Sequence, residues 1–201
     1  MLRVGLTGGI GSGKTEVTRR LAERGAEIID ADLLAREVVA PGTPGLASIV
    51  DAFGSEVLAP DGTLDREYLA HLVFHDPARR KRLEDIVHPL VRAETAHRMA
   101  AAPPDSIVIN DVPLLVETHR VPLYEVVIVV AASPQTQLDR LVRLRGMTPE
   151  DAQARIDAQI PLADKVSVAT YVIENDGDLA ALEPQVNQLW RELRQLAAGQ
   201  C

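Results

Sequence analysis

The chain has 201 residues, is 46% hydrophobic and carries a net charge of −8. That length suits one domain with a substantial core and room for an inserted subdomain. The acidic balance argues against a nucleic-acid partner, which requires an extended basic surface, and an aromatic content of 3% leaves little for base stacking. No apolar run approaches the length of a membrane span, so we expect no membrane partner.

The single cysteine, Cys201, stands at the last position. It has no partner for an intramolecular disulfide, which fits a reducing compartment. The sequence begins directly with a predicted strand rather than with a basic and apolar leader. We therefore expect a cytoplasmic protein.

The first strand is predicted at residues 2–6 and leads straight into GGIGSGKT at 8–15. This segment fills the phosphate-loop template of glycine, four residues and Gly-Lys-Thr. Glycines let successive backbone N–H groups turn around an anion, and the N-terminus of the following helix adds a positive dipole end. Lys14 supplies charge for the β- and γ-phosphates, and the Thr15 hydroxyl can bind Mg²⁺. The candidate ATP-binding positions here are Gly8, Gly9, Gly11, Ser12, Gly13, Lys14, Thr15 and Glu16.

Strands and helices then alternate, which predicts an α/β fold: a parallel sheet covered by helices on both faces. The other strands are predicted at residues 26–30, 106–110, 125–130 and 171–174. Helices are predicted at residues 14–24 and 179–198, the latter amphipathic.

About 75 residues without a clear strand separate the second and third strands. They predict helices at 45–53, 65–74, 77–86 and 89–101, with Asp65 as the N-cap of the second. One crossover helix does not need so many residues, so we expect a helical insertion beside the carboxyl ends of the strands.

A second insertion follows the fourth strand. Ser133-Pro134 begins a helix at about 135–145, Gly146 ends it, and Thr148 caps the next helix. Guanidinium groups on a closing lid can neutralise charge during phosphoryl transfer. Arg140 and Arg145 are the better candidates, whereas Arg143 and Arg155 fit a solvated surface.

A phosphate loop alone does not separate kinases from other nucleotide-binding proteins. At Asp30-Ala31-Asp32 we expect one aspartate to cap the helix beginning at Leu33 and Asp32 to accept the proton of an acceptor hydroxyl. The Asn-Lys-x-Asp segment of GTPases is absent from the sequence, and residues 174–177 could contact an adenine. Asp111 follows the third strand, where it could hold Mg²⁺ through water or contact the acceptor.

Six segments together resemble the dephospho-coenzyme A kinase family. In chain order they are LTGGIGSGKT (6–15), IIDADLLAREVV (28–39), VHPLV (87–91), DVPLLVE (111–117), QLDRL (137–141) and ENDG (174–177). They are distributed from residue 6 to residue 177, which is most of the chain.

The resemblance implies that ATP phosphorylates the ribose 3′-hydroxyl of dephospho-coenzyme A, with Mg²⁺. It implies a three-layer P-loop kinase fold: a core of residues 1–32, 104–134 and 168–201 with a five-stranded parallel sheet, a helical substrate domain at 33–103 and a lid at 135–167. We expect a monomer or a weak homo-oligomer.

The resemblance also assigns roles by position. Asp32 would be the general base, Lys14 the phosphate clamp and Arg140 the lid arginine. Asn175 and Gly177 would lie near the adenine. The acceptor side would be lined by Thr7, Asp32, His88, Pro89 and the stretch from Leu114 to Glu117.

Three positions depart from the family pattern. Val116 replaces a usual Phe, Glu16 replaces a residue that often carries a hydroxyl, and Arg143 and Arg145 flank the usual place of a second lid arginine. Two other functions stay open at this point: a nucleoside or nucleotide kinase with the same loop and lid, and a nucleotide-dependent switch without transfer chemistry.

Overall fold

The structure, a computed structural model, describes residues 1–199. Cys201, on which the expected compartment rested, lies outside the described residues. The described chain forms two compact units, the first made of Met1–Ile29 and the chain from Ala102 onward, the second of Asp30–Ala101.

A five-stranded sheet forms the centre of the fold, in the order β2-β3-β1-β4-β5. Its strands run parallel: β1 pairs in parallel with β3 and β4, and β4 with β5. The strands are β1 (Leu2–Gly8), β2 (Glu27–Asp30), β3 (Ile107–Asp111), β4 (Val126–Ala131) and β5 (Tyr171–Glu174). The predicted α/β class and all five predicted strands are confirmed.

The sequence forms buried strands because their residues are apolar on both sides of the sheet. Every residue of β3 and β4 is buried, and β1 exposes Arg3 alone among its seven residues. Continuous apolar runs of this kind are typical of parallel strands covered on both faces.

The first unit also contains helices, which lie between its strands along the chain and after the last strand. They are α1 (Lys14–Glu23), α6 (Pro134–Arg145), α7 (Pro149–Asp157), α8 (Leu162–Val166) and α9 (Leu179–Ala198). A short 3-10 turn lies at Val121–Leu123. The predicted caps Ser133 and Thr148 are confirmed, since each hydroxyl accepts a hydrogen bond from a backbone N–H three residues on.

One core cluster joins the sheet to α1 and α9. Leu2, Val4 and Leu6 of β1 belong to it, and so do Val17 and Leu21 of α1. α9 adds Leu182, Val186, Leu189 and Leu193.

Gly5 faces the opposite side of the sheet from Val4 and Leu6, because successive residues of a strand alternate between its two faces. A Cβ at Gly5 would lie 2.6 Å from Leu115 Cδ1 and 2.8 Å from Tyr124 Cδ2. The connection after β3 therefore packs directly on the sheet at this point, and only a glycine leaves room for it.

The second unit is helical. Its helices are α2 (Ala31–Glu37), α3 (Pro44–Phe53), α4 (Arg66–Phe74) and α5 (Pro77–Ala101), with a 3-10 turn at Ser55–Val57. Val39, Ile49, Val57 and Leu69 form its buried centre. Asp65 caps α4 as predicted, accepting a hydrogen bond from the Tyr68 N–H at 2.8 Å.

The predicted break between residues 86 and 89 is wrong: α5 runs through Pro89 without interruption. Proline lacks an N–H and crowds the carbonyl one turn back, which favours a helix end. Here Leu83, Ile86 and Val87 pack on the core of the second unit, and Val91 beyond the proline is also buried. Tertiary packing on both sides of Pro89 outweighs the local cost.

Within residues 1–199 no helix combines the length and the apolar character needed to cross a bilayer.

Candidate active site

The loop between β1 and α1 has the backbone geometry of an anion cradle. Gly11 and Gly13 have φ angles of +74° and +89°, a region that residues with a Cβ rarely adopt. Gly13 is also the N-cap of α1. The first N–H groups of a helix lack partners within it, so the first turn of α1, starting at Lys14, offers donors to an anion.

Two of the loop glycines are required by close neighbours. A Cβ at Gly8 would lie 2.5 Å from the Val130 carbonyl oxygen and 2.8 Å from Ser12 Oγ. A Cβ at Gly13 would overlap the side-chain amide of Asn175. The loop is therefore tightly enclosed by β4 and by the segment after β5.

Side chains from distant parts of the first unit hold this loop. The Ser12 carbonyl oxygen accepts hydrogen bonds from Asn175 Nδ2 at 2.7 Å and from Arg140 Nη1 at 3.2 Å. Gln159 Oε1 accepts from the Ile10 N–H at 2.7 Å. Asn175 is buried, and its own N–H donates to the Ala131 carbonyl. The structure thus brings three predicted elements together: the loop, Arg140 and Asn175.

Sequence reasoning missed two glutamines in this arrangement. A Cβ at Gly9 would touch the amide of Gln137 at 3.0 Å, and Gln137 is buried with its Nε2 donating to the Ala132 carbonyl. Gln159 reaches Ile10 from the segment after α7. Neither has a local signal, because glutamine is ordinary in and after helices and the loop residues Gly9 and Ile10 are far away in sequence.

The first turn of α1 carries the remaining loop candidates. Lys14 is half-buried and Thr15 is exposed. Glu16 forms ion pairs with Arg19 at 2.5 Å and with Arg20 at 3.0 Å. The hydrogen bond from Arg19 holds the pKa of the Glu16 carboxyl below its ordinary value. The Glu16 carboxylate therefore interacts with two arginines of its own helix, α1.

Arg140 lies between the loop and the segment after β5. It is half-buried on α6, and its Nη2 donates to the Gly177 carbonyl at 3.5 Å. Arg143 and Arg145 are exposed on the last turn of the same helix. The Arg140 side chain is therefore more buried than those of Arg143 and Arg145, which are both exposed.

Asp176 ties the end of β5 to the start of α6. Its Oδ1 accepts a hydrogen bond from the Ser133 N–H at 2.8 Å. Hydrogen bonds from the Thr136 side chain and from Ser133 lower the pKa of the Asp176 carboxyl. The ionised form is therefore favoured where the two segments meet.

The loop of residues 112–120, which follows β3, is anchored to the end of β1. Thr7 is buried, and its hydroxyl donates to the Pro113 carbonyl at 3.1 Å. Leu114 is 48% exposed, and Glu117 is half-buried and paired with Lys165. Asp111, at the end of β3, is buried. Since parallel strands end at one edge of the sheet, this loop and the phosphate loop share that edge.

The remaining candidates belong to the second unit. Asp30 caps α2, its Oδ1 accepting from the N–H groups of Asp32 and Leu33, so one aspartate is structural as predicted, although the helix begins at Ala31. Asp32 is exposed in the first turn of α2, and His88 and Pro89 are exposed on α5. The place of these three beside the phosphate loop stays a prediction.

Within residues 1–199 no group of three or more His, Cys, Asp and Glu side chains could by itself hold a metal ion. Mg²⁺ is commonly held by one or two protein oxygens together with phosphate oxygens and water. The Thr15 hydroxyl and the Asp111 carboxylate are oxygen donors of that chemical type.

These features define a class. A parallel sheet whose first strand runs into a glycine-cradled Gly-Lys-Thr loop, with an arginine-bearing helix hydrogen-bonded to that loop, is a P-loop kinase architecture.

Comparisons with known proteins specify it further. The dephospho-CoA kinase family model matches residues 2–181. A dephospho-CoA kinase from Streptomyces avermitilis is 58% identical over 193 residues, covering 96% of this chain and 94% of the relative. The chain belongs to the dephospho-CoA kinase family.

Solved structures agree on the fold. TT1252 from Thermus thermophilus superposes with a TM-score of 0.81 at 34% identity, over 96% of this chain and 97% of that one. A dephospho-CoA kinase from Campylobacter jejuni gives a TM-score of 0.73 at 24% identity, over 96% of both chains. At that identity the second likeness concerns the fold alone.

Proposed function

We propose that this protein transfers the γ-phosphoryl group of ATP to the ribose 3′-hydroxyl of dephospho-CoA, giving CoA and ADP. The observation that carries the proposal is the convergence of Arg140 and Asn175 on the Ser12 carbonyl of the phosphate loop. Through Arg140, the predicted triphosphate-binding loop is hydrogen-bonded to α6, the first helix of the proposed lid, in a chain that belongs to the dephospho-CoA kinase family. The reaction is the last step of CoA biosynthesis.

On the donor side, the loop binds the phosphates through its backbone. N–H groups at the start of α1 surround the anion, and the Lys14 ammonium neutralises charge on the β- and γ-phosphates. We assign Gly8, Gly9, Gly11, Ser12, Gly13 and Glu16 to this ATP site by position. We place Asn175 and Gly177 near the adenine, and Asn175 also supports the loop because its Nδ2 donates to the Ser12 carbonyl.

Mg²⁺ would be held by Thr15, with Asp111 as a candidate through water. When bound, it neutralises charge that develops on the phosphate oxygens. The alternative role of Asp111, a contact with the acceptor, stays open.

Arg140 stabilises the charge of the transferring group. Its half-buried guanidinium lies against the phosphate loop, where Nη1 donates to the Ser12 carbonyl, and a planar guanidinium suits the neutralisation of charge on phosphate oxygens. A second arginine, Arg145 or Arg143, would join it when the lid of residues 135–167 closes and excludes water.

Asp32 accepts the proton of the 3′-hydroxyl as the phosphoryl group leaves ATP. An exposed carboxylate in the first turn of α2 is free to meet an acceptor, unlike Asp30, whose carboxylate caps the helix.

The helical domain of residues 33–103 would bind the acceptor, with His88 and Pro89 from α5 and Thr7, Leu114 and Glu117 from the first unit lining that side. We further propose a cytoplasmic monomer or weak homo-oligomer.

A coupled ATP-consumption assay with and without dephospho-CoA tests the proposal. We expect ADP formation to depend on dephospho-CoA and to yield CoA, identified by mass spectrometry as the 3′-phosphorylated product. Faster turnover with AMP or a deoxynucleoside would favour another small-acceptor kinase. Slow hydrolysis that no acceptor stimulates would favour a nucleotide switch.

A further inference from the structure

A buried lysine lies close to the candidate active site without a role in the chemistry above. Lys165 of α8 is 1% exposed, among the largest fully buried side chains in the described part of the chain. Its ammonium pairs with Glu117 Oε1, in the loop that follows β3. Lysine is rarely buried this deeply unless it is paired.

The pair is an expensive way to stabilise a fold. Removing two charges from water costs more than their attraction returns unless hydrogen bonds satisfy every remaining atom. Here Glu117 Oε2 is buried and accepts no hydrogen bond from the described residues. A half-satisfied buried pair contributes less to stability than two apolar side chains of the same size.

The location of the pair suggests what it is for. Glu117 belongs to the loop that Thr7 anchors to the end of β1, next to the phosphate loop. Lys165 belongs to the segment between α7 and β5, and Gln159 in that same segment accepts the Ile10 N–H of the phosphate loop. One short segment thus holds the phosphate loop at one point and the loop after β3 at another.

We propose that Lys165 is a positioning residue: its ammonium fixes the buried Glu117 carboxylate and so holds the loop of residues 112–120, which carries the exposed Leu114, in the orientation that meets the acceptor. This inference rests on the proposed function, because it takes dephospho-CoA as the acceptor. Lys165 itself does not touch the substrates. It acts through Glu117, so its removal should change acceptor binding and leave ATP binding unchanged.

A double-mutant cycle tests this role. We compare Lys165→Met, Glu117→Met and the double variant with the wild type, measuring KM for dephospho-CoA, KM for ATP and the melting temperature. We expect each single change to raise the acceptor KM about tenfold, the loss of one charge-assisted hydrogen bond. The double variant should raise it no further, since the two residues act as one unit.

Stability should separate positioning from packing. Lys165→Met strands a buried carboxylate and should melt lower, whereas the double variant should melt no lower than the wild type. If Lys165→Met does not fold, the acceptor KM is measured for the double variant and for Lys165→Arg instead. Arginine keeps a cation beside Glu117, so the acceptor KM should return towards the wild-type value.

The ion pair Arg3–Glu125, with side chains 49% and 34% exposed, lies at the opposite end of β1 from the phosphate loop and offers a matched control. Its double change to methionine should leave both KM values unchanged. An unchanged acceptor KM in the Lys165 variants, equal increases in the two KM values, or multiplied effects in the double variant would each overturn the inference. A wild-type protein inactive on dephospho-CoA would instead overturn the proposed function.

Discussion

In the phosphate loop, one carbonyl oxygen accepts from Asn175 and Arg140, and a neighbouring N–H donates to Gln159. In the second unit, the candidates Asp32, His88 and Pro89 are exposed on helices. Contacts from distant parts of the first unit therefore hold the backbone of the phosphate loop. The candidates in the second unit are instead exposed side chains carried by helices. Changes in the two regions should have different kinetic signatures.

The largest expected effect comes from the exposed side. Asp32→Asn should lower kcat about 10²–10⁴-fold, the usual contribution of a general base, with the Kd for ATP unchanged. Steady-state kinetics and calorimetry with ATP measure the two quantities. Asp30→Asn is the matched control, because asparagine also caps helices well and the cap of α2 should survive. Near-normal turnover in Asp32→Asn would remove that residue from catalysis.

On the donor side, Arg140→Met should lower kcat about 10²–10³-fold, the range found when one donor to a developing charge is removed. Single-turnover phosphoryl transfer at saturating ATP measures it. Arg155→Met, a change at an exposed arginine of α7, serves as control. Arg143→Met and Arg145→Met, measured in parallel, identify the second lid arginine as the one whose loss slows transfer more. Equal rates in Arg140→Met and the wild type would contradict the lid assignment.

Gly8→Ala tests the rigidity of the loop. The added Cβ would lie 2.5 Å from the Val130 carbonyl oxygen, a backbone atom that cannot move aside cheaply. We expect the free energy of unfolding to fall by about 1–3 kcal/mol, as for other overpacked sites, and ATP to bind more weakly. Denaturant unfolding and calorimetry check this. Gly199→Ala places its Cβ 3.6 Å from the nearest atom and should change neither quantity.

The smallest effect concerns the join between α6 and the end of β5. Hydrogen bonds from Thr136 and Ser133 lower the pKa of Asp176 in the folded protein. A lowered carboxyl pKa contributes stability that is present above the ordinary aspartate value and is lost as the pH falls through the folded value. The melting temperature of the wild type should therefore drop more steeply on acidification below about pH 4 than that of Asp176→Asn. Parallel acid dependence in the two proteins would contradict this contribution, and Asp105→Asn at an exposed position is the control.

Much of the fold could be predicted because its signals are local. Buried strands appear as β-branched runs, and Ser133, Thr148 and Asp65 mark helix starts through side chains that bond N–H groups a few residues away. The error at Pro89 has the opposite origin. The local rule predicted a helix end there, and packing on the core of the second unit maintained the helix.

The sequence alone determined the phosphate chemistry, because glycines with positive φ, a lysine and a threonine must be adjacent in the chain to cradle an anion. Tertiary structure alone decided which remote side chains hold that cradle. Gln137 lies against Gly9 and Gln159 accepts from the Ile10 N–H, both far away in the chain, and a lone glutamine carries no sign of what it will meet. Only the parallel sheet, which gathers the ends of its strands at one edge, brings those partners together.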